Sequence, residues 1–563
     1  MLFASTTTAA ELPTPVIVGT FPENEADVVR LPDGSLKIFY NQRGEYVGSL
    51  TSTDQGRTWS EPQKEFAVSG ETAHAIQVLL DRRGELQVYW LGIRRGGRKL
   101  GVDYFLDLWQ ATTRDGTKTW NEPRRVYEGA IGALRGIVQT RTGRIVIPFS
   151  TAHPERKAGP PIGYFYTTAV YSDNDGQTWQ ISPSQLTAPC IEGYNGGNYG
   201  AVEPTIVERK DGTLWMLIRT QTGRMYEAFS ADGHEWSEAK PTTLYGSNSP
   251  AMLRRLDDGR LLVCWNNAQV APRHEGQGVY SGRDALHAAI SDDDGQTWRG
   301  YREVYRDPTR HGQGVELRND RGTAYPDAVQ TTDGTIVLVT GQGEGRRVII
   351  LFRPEWLLET RQGDNFSRGL EQWHVQQEIG PAQRFFRQRR EGAQLIPHPD
   401  DPKRQVLSVG KRDEEPAAGA LWNIPQSSAA EIHLRVRVEK GFQGATLAVT
   451  DRLYLPTDDA ATNEAAFPIH LTTKNVSDKT TSTFHLEPGI WHELKIDWRS
   501  RTCVFSFTLD GKLVQRLSNT TAHLTRHRKL CYLAIRSEAD SHEAPGLMIE
   551  HVDFRMPADK NGE

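Results

Sequence analysis

The chain has 563 residues and a formal net charge of -5. It is too long for one core, and a charge so small, with no basic face, excludes nucleic acid as an expected partner. No apolar run approaches the roughly 20 residues that span a bilayer, and Cys190, Cys264, Cys503 and Cys531 have no metal-ligand spacing, so no metal or other cofactor is expected.

Taken in order, the first residues, MLFASTTTAAELP, lack the apolar core of a signal peptide. The expected location is therefore the cytoplasm, or the periplasm or exterior if an export signal was removed ahead of this numbering. The apolar segment from Pro15 to Gly19 has no partner nearby. Then a Gly opens a short apolar strand six times: Gly34 before SLKIFY, Gly84 before ELQVYW, Gly143 before RIVIPF, Gly212 before TLWMLI, Gly259 before RLLVCW and Gly334 before TIVLVT. A turn Gly followed by β-branched and aromatic residues reads as a hairpin between strands. The first five hairpins are each followed by an octapeptide: STDQGRTW ending at Trp59, its repeat SDDDGQTW ending at Trp298, and worn copies ending at Trp120, Trp179 and Trp236. These tryptophans are 61, 59, 57 and 62 residues apart. So even a period is the mark of a repeat architecture. The Asp of each copy reads as scaffold, a carboxylate that accepts backbone N–H groups across its own turn, and the Trp as a plug between units. The sixth hairpin has no octapeptide, and the segment near Pro15 supplies its missing strand. The expectation is an all-β fold, a six-bladed β-propeller over residues 12–358 closed by its own N-terminus.

From 361 to 557 short alternating runs follow, among them EIHLRVRVE, LKIDW and CVFSFTLDGKLV. They read as an antiparallel β-sandwich of jelly-roll type. PGIWHELKIDW followed by LDGKL resembles the concanavalin or laminin-G sandwich, which makes this domain a carbohydrate-binding or accessory one. Cys503 and Cys531, both in this region, either pair or remain buried thiols.

The inner strand of every propeller blade ends at one mouth of the channel. Nine places before each hairpin Gly the register gives Asn24 and Glu25, His74 and Ala75, Leu134 and Arg135, Glu203, Ser249 and Pro250, and Tyr325. The second strands return to that mouth at Asn41, Leu91, Ser150, Arg219, Asn266 and Gly341, with Arg43 just beyond. The stretches Ile93 to Leu108, His153 to Pro161 and Glu192 to Tyr199 are long enough to fold over it.

The first 358 residues resemble the sialidase superfamily, whose members carry such octapeptides, called Asp boxes, on a six-bladed propeller. The segment from Glu203 to Arg219 is similar to the one in which a catalytic Glu precedes an Arg by sixteen residues. Arg283 to Ser291 resembles the segment carrying a further substrate Arg, and Tyr325 to Gly334 the one bearing a nucleophilic Tyr. The resemblance implies a retaining, exo-acting glycoside hydrolase for a terminal acidic sugar. Tyr325 would be the nucleophile, Glu203 its base, and Arg219 and Arg283 the substrate anchors. Asn24, Glu25, Arg43, Arg135 and Asn266 complete the expected substrate-binding ring. A free Tyr, with a pKa near ~10, is a weak nucleophile and needs such a base.

The first half departs from the family. Asn24 stands where the family's first Arg belongs, with Glu25 beside it, and no carboxylate stands near Ala75, where an acid/base Asp is expected. His74, or an Asp of the loop from Ile93 to Leu108, is the titratable substitute. Three readings remain open: the glycosidase, a non-sialidase glycosidase or polysaccharide lyase on the same residues, and a non-catalytic glycan-binding protein. All three take a glycan or oligosaccharide as partner.

Overall fold

A computed structural model of the chain describes residues 14–23, 25–42, 45–68, 72–97, 100–114, 119–152, 164–189, 199–268, 282–312, 315–316, 322–343, 347–383, 386–458, 465–474, 483–499, 504–518 and 529–557. The architecture among them is almost wholly β, with a single 3-10 turn at Pro354–Leu358.

The repeat begins in the hairpins. In the first, Gly34 takes φ +86, a conformation that a Cβ resists, and donates its N–H to Leu31 O at 2.9 Å, while Leu31 N–H bonds Ser35 O at 2.8 Å. Each such hairpin joins the inner two strands of an antiparallel sheet. Blade one runs Ala26–Arg30, Leu36–Gln42, Tyr46–Ser52 and Gln63–Ala67 from the channel outward. Blades two to five repeat it, with inner strands Thr72–Leu80, Ile131–Leu134, Val202–Glu208 and Met252–Arg255. Blade six takes Asp327–Gln330, Ile336–Thr340 and Val348–Phe352 from its own segment, and its outermost strand is Val16–Thr20. The inner strands touch in cyclic order, the sixth returning to the first, so the sheets close into the expected six-bladed propeller.

The Asp boxes turn the third strand into the fourth, at the end of the blade opposite the mouth. In the first, Asp54 Oδ1 accepts from Thr58 N–H at 2.9 Å, Asp54 Oδ2 from the Thr58 hydroxyl at 2.6 Å, and Ser52 Oγ accepts from Gly56 N–H at 3.0 Å. In the third, Asn174 does the same work with one polarity reversed: Oδ1 accepts from Thr178 N–H, and Nδ2 donates to the Thr178 hydroxyl, both at 2.8 Å. Each box Trp plugs into the preceding blade. Trp120 packs on Phe39 and Phe66, Trp179 edges onto Tyr89 at 5.9 Å, and Trp298 lies 6.3 Å from Trp215. These acids are scaffold.

The later strands form two sheets over one apolar core that includes Trp373, Trp422, Trp498, Phe505 and Phe554. The outer face of the smaller sheet (Leu421, Ala448, Tyr532, Ala534) merges with the core of blade five around Trp265 and Tyr301. A buried polar chain crosses this junction. Asn267 N–H donates to His287 Nδ1 at 3.1 Å, which leaves the ring proton on Nε2 to reach the Tyr532 hydroxyl at 2.5 Å. Tyr532 donates in turn to Glu303, which also holds His374 at 2.8 Å and Arg306. Burial pushes the Glu303 carboxyl up, but His374 and Arg306 outweigh it and hold the group well below the usual range. Cys531, in the same junction, is a buried free thiol that accepts from Asn267 Nδ2; Cys503 lies outside the described residues. One hairpin, Gln376–Gln383 with Phe386–Glu391, leaves the sandwich to pair with Val315–Glu316, on the connection that leads to Tyr325.

The ends of the stretch from Ile93 to Leu108 are a ladder that carries the hairpin past Leu91, since Gly92 faces Asp107 and Ile93 faces Leu106, and Asp107 is buried against Arg94 and Arg125. Asp107 can do this because two arginines and the Gly129 N–H at 3.0 Å satisfy it. The stretches 153–161 and 192–198 lie outside the described residues. No helix among the described residues is long and apolar enough to cross a membrane, and among them no group of three His, Cys, Asp or Glu residues is placed to hold a metal ion.

Candidate active site

At the mouth, blade four contributes Glu203 and Arg219, facing each other across its inner two strands. Val202 pairs with Arg219, and the register then slips before Thr205. Glu203 sits in that bulge at φ +47. Tyr325, just ahead of the inner strand of blade six, is likewise left-handed at φ +61. A non-glycine residue held there costs about 1–3 kcal/mol, and such residues cluster where a side chain must be aimed. The two strained residues meet: the Tyr325 hydroxyl donates to Glu203 Oε1 at 3.0 Å. The other carboxylate oxygen is taken by Arg219.

Two more arginines close round the tyrosine. Arg135 of blade three and Arg283 of blade five lie 5.2 and 5.4 Å from the centre of its ring. Arg135 also bonds Glu25 Oε2 at 3.2 Å and Pro326 O at 2.8 Å, so it ties blade three to blades one and six. Arg283 donates to Gln342 Oε1 at 2.6 Å and Asn248 O at 3.1 Å. Glu203, Arg219, Arg283, Arg135, Glu25 and Tyr325 are all more than nine-tenths buried. Burial alone would raise the Glu203 pKa, but Arg219, Arg283 and Arg135 together hold it below its ordinary value, so the group is an anion at neutral pH. Burial works against the Arg135 charge too, and Glu25, Asp327 and Glu203 more than restore it.

The structure thus brings together Glu203, Arg219, Tyr325, Arg135 and Glu25, which the register selected, and Arg283, which the resemblance supplied. Asn266 is also buried at the mouth, but its amide is spent on the scaffold. Nδ2 donates to Ala285 O at 2.7 Å and the Thr323 hydroxyl at 2.9 Å, and Oδ1 accepts from Ser249 Oγ at 2.7 Å. Asn24 and Arg43 lie outside the described residues. His74 is in the inner strand of blade two, and its side chain is outside what is described.

Other groups escaped the sequence. Asn248 bridges two arginines, its Oδ1 accepting from Arg219 Nε at 2.6 Å and its carbonyl from Arg283. Gln342 stands one place past the residue the register selected. One layer down the channel, Asp327 binds Arg254 at 2.6 Å beside Asp27, whose pKa burial and then the neighbouring Asp327 raise well above its ordinary value. Finally Arg389, from the sandwich hairpin, donates to Asp284 at 2.8 Å, next in sequence to Arg283. Only the Asp27 layer had a signal available, because Asp27 and Asp327 follow the mouth positions Glu25 and Tyr325 by two along their strands.

Chemically, the site is a phenol hydrogen-bonded to an ionised carboxylate inside a shell of guanidinium groups. It can deliver a phenolic oxygen as a nucleophile and hold an acidic or hydroxyl-rich ligand.

Comparison with known proteins places these observations. Residues 77–338 match the model of the BNR repeat-like domain. A sialidase from Micromonospora viridifaciens is 25% identical over 316 residues, 47% of this chain and 44% of the relative, so the chain spans less than half of that protein's length. Among solved structures, Trypanosoma rangeli sialidase is similar over 94% of this chain and 91% of its own, at 13% identity and a TM-score of 0.39. A mutant of the NanB sialidase from Streptococcus pneumoniae is similar over 62% and 72%, at 12% identity and a TM-score of 0.43. The match to the BNR repeat-like domain spans most of the six closed blades, and the relatives it accompanies are sialidases, which this chain resembles in repeat and fold.

Proposed function

We propose that the chain is a retaining, exo-acting glycosidase for a terminal acidic sugar of sialic-acid type, with Tyr325 as nucleophile and Glu203 as its base. The observation that carries this reading is the 3.0 Å bond between Tyr325 and an ionised Glu203, beneath Arg135 and Arg283. As the proton passes from Tyr325 to Glu203, the oxygen attacks the anomeric carbon and the glycosidic C–O bond breaks. The departing oxygen takes a proton from an acid, for which His74 is the candidate. Water then attacks the anomeric carbon and gives its proton back to that acid, the bond from the carbon to the Tyr325 oxygen breaks, and the proton on Glu203 returns to the phenol oxygen. The first transfer exchanges one anion for another inside the same cationic shell, so it needs little reorganisation of charge. A neutral phenol also suits a substrate whose reacting carbon bears a carboxylate, since it approaches without repulsion.

The test is release of the fluorophore from an aryl α-sialoside by the wild type beside Tyr325→Phe. Hydrolysis by the wild type and a loss of about 10³-fold or more in the variant support the reading. No hydrolysis by the wild type, or equal hydrolysis by both, would sink it.

A further inference from the structure

We infer that Asn248 is a substrate-binding residue, whose side-chain amide donates to the sugar carboxylate between Arg219 and Arg283. This rests on the acidic-sugar reading above and says how the group is held when no arginine stands at position 24.

The amide orientation follows from its neighbour. Arg219 Nε can only donate, so the atom of Asn248 that faces it at 2.6 Å is Oδ1, and Nδ2 points elsewhere. Nδ2 is buried and has no hydrogen-bond partner among the described residues, in a side chain more than nine-tenths buried. A buried donor without an acceptor is costly, and a ligand oxygen removes that cost. The two groups that flank Asn248 are Arg219, on its side-chain oxygen, and Arg283, on its carbonyl. The amide therefore sits between the two cations that the reading assigns to substrate.

The opposite side of the mouth argues the same way. There Arg135 is engaged by the Glu25 carboxylate, and a second carboxylate placed beside Glu25 would be repelled. The sugar's acidic group is thus directed away from blade one, toward blades four and five. A neutral amide serves as the third donor, where the family resemblance leads one to expect a cation.

Asn248→Asp tests this with the smallest change of shape. The new carboxylate keeps an acceptor for Arg219 Nε but removes the donor and puts a negative charge where the sugar's carboxylate would lie. Asn248→Ser keeps one donor and adds no charge. The probes are 2,3-dehydro-N-acetylneuraminic acid and its methyl ester, as inhibitors of aryl α-sialoside hydrolysis, with melting temperatures recorded for all three proteins. For the acid, the inhibition constant is expected to rise roughly thirtyfold or more in Asn248→Asp, the size that like-charge burial at a binding site produces. Asn248→Ser should show a smaller rise, and the methyl ester should bind wild type and Asn248→Asp equally. Equal binding of the acid by wild type and a folded Asn248→Asp overturns the inference while the glycosidase reading stands. A wild type that neither hydrolyses the sialoside nor binds the acid overturns both.

Discussion

Tyr532→Phe removes one oxygen atom from the junction between blade five and the sandwich. That oxygen accepts from His287 Nε2 at 2.5 Å and donates to Glu303, and all three side chains are buried. Burial lowers the His287 pKa to about 4, so near neutral pH its ring is uncharged and holds a single proton on Nε2. Without the phenol oxygen that N–H has no acceptor, a penalty of about 1–3 kcal/mol, and Glu303 loses one charge-assisted bond worth about 1.5–3 kcal/mol. Glu303 keeps His374 and Arg306, and the phenyl ring still fills the space, which offsets part of the loss. A net destabilisation of about 2–4 kcal/mol remains, equivalent to a fall in Tm of roughly 5–15 °C for a unit of this size. Differential scanning calorimetry at pH 7 measures it. A Tm within a degree of the wild type would refute the view that this chain of bonds holds the junction.

Other outcomes follow from the same structure. Asp54→Ala removes the acceptor of two Thr58 donors and should lower stability by about 1–3 kcal/mol while leaving kcat unaltered, because the box lies at the far end of its blade; thermal melts beside steady-state assays separate the two. Arg389→Gln leaves Asp284 without its buried cation and should raise KM more than it lowers kcat, since Asp284 precedes Arg283 in the chain; an unchanged KM would deny any link from the sandwich hairpin to the site. Glu203 is held below its ordinary 4.5, so if it is the base of the proposed reaction it stays ionised as the pH falls through that value, and the acid limb of the kcat/KM profile should lie below pH 4.5. By linkage, the stability contributed by the depressed Glu303 is complete above its unfolded pKa and is lost as the pH drops through the folded one, so calorimetric scans from pH 7 to pH 3 should show Tm falling less steeply in Glu303→Gln than in the wild type.

Much of the propeller was legible because its information is local and repeated. A turn Gly, an alternating strand and an Asp box each specify geometry within about ten residues, and six copies in register turn sequence distance into position around a ring. Counting back from Gly212 and Gly334 therefore reached Glu203 and Tyr325, which do meet. The same counting could not reach Asn248, because the inner strand of blade five begins only at Met252 and the approach through Ser247 to Pro250 follows no ladder. Nor could it reach Arg389, or the contact of His287 with Tyr532. These join segments whose separation carries no period, and the pairing depends on how two cores dock. Asn266 shows the converse: its register was right, but register says nothing of which hydrogen bonds a side chain has already made.

The N-terminal strand of blade six has a consequence for how the chain must be handled. Val348–Phe352 is apolar throughout and buried, and Val16–Thr20 pairs along the edge it would otherwise present. A chain cut after Thr20 would carry VIILF as a bare edge strand, with high β-propensity, no charge and no proline to blunt it, the pattern that templates the addition of further strands. Five residues at one end of the molecule thus act as a guard against self-association by a strand at the far end of the ring, and proteolysis ahead of Phe21 should be read first in a light-scattering trace.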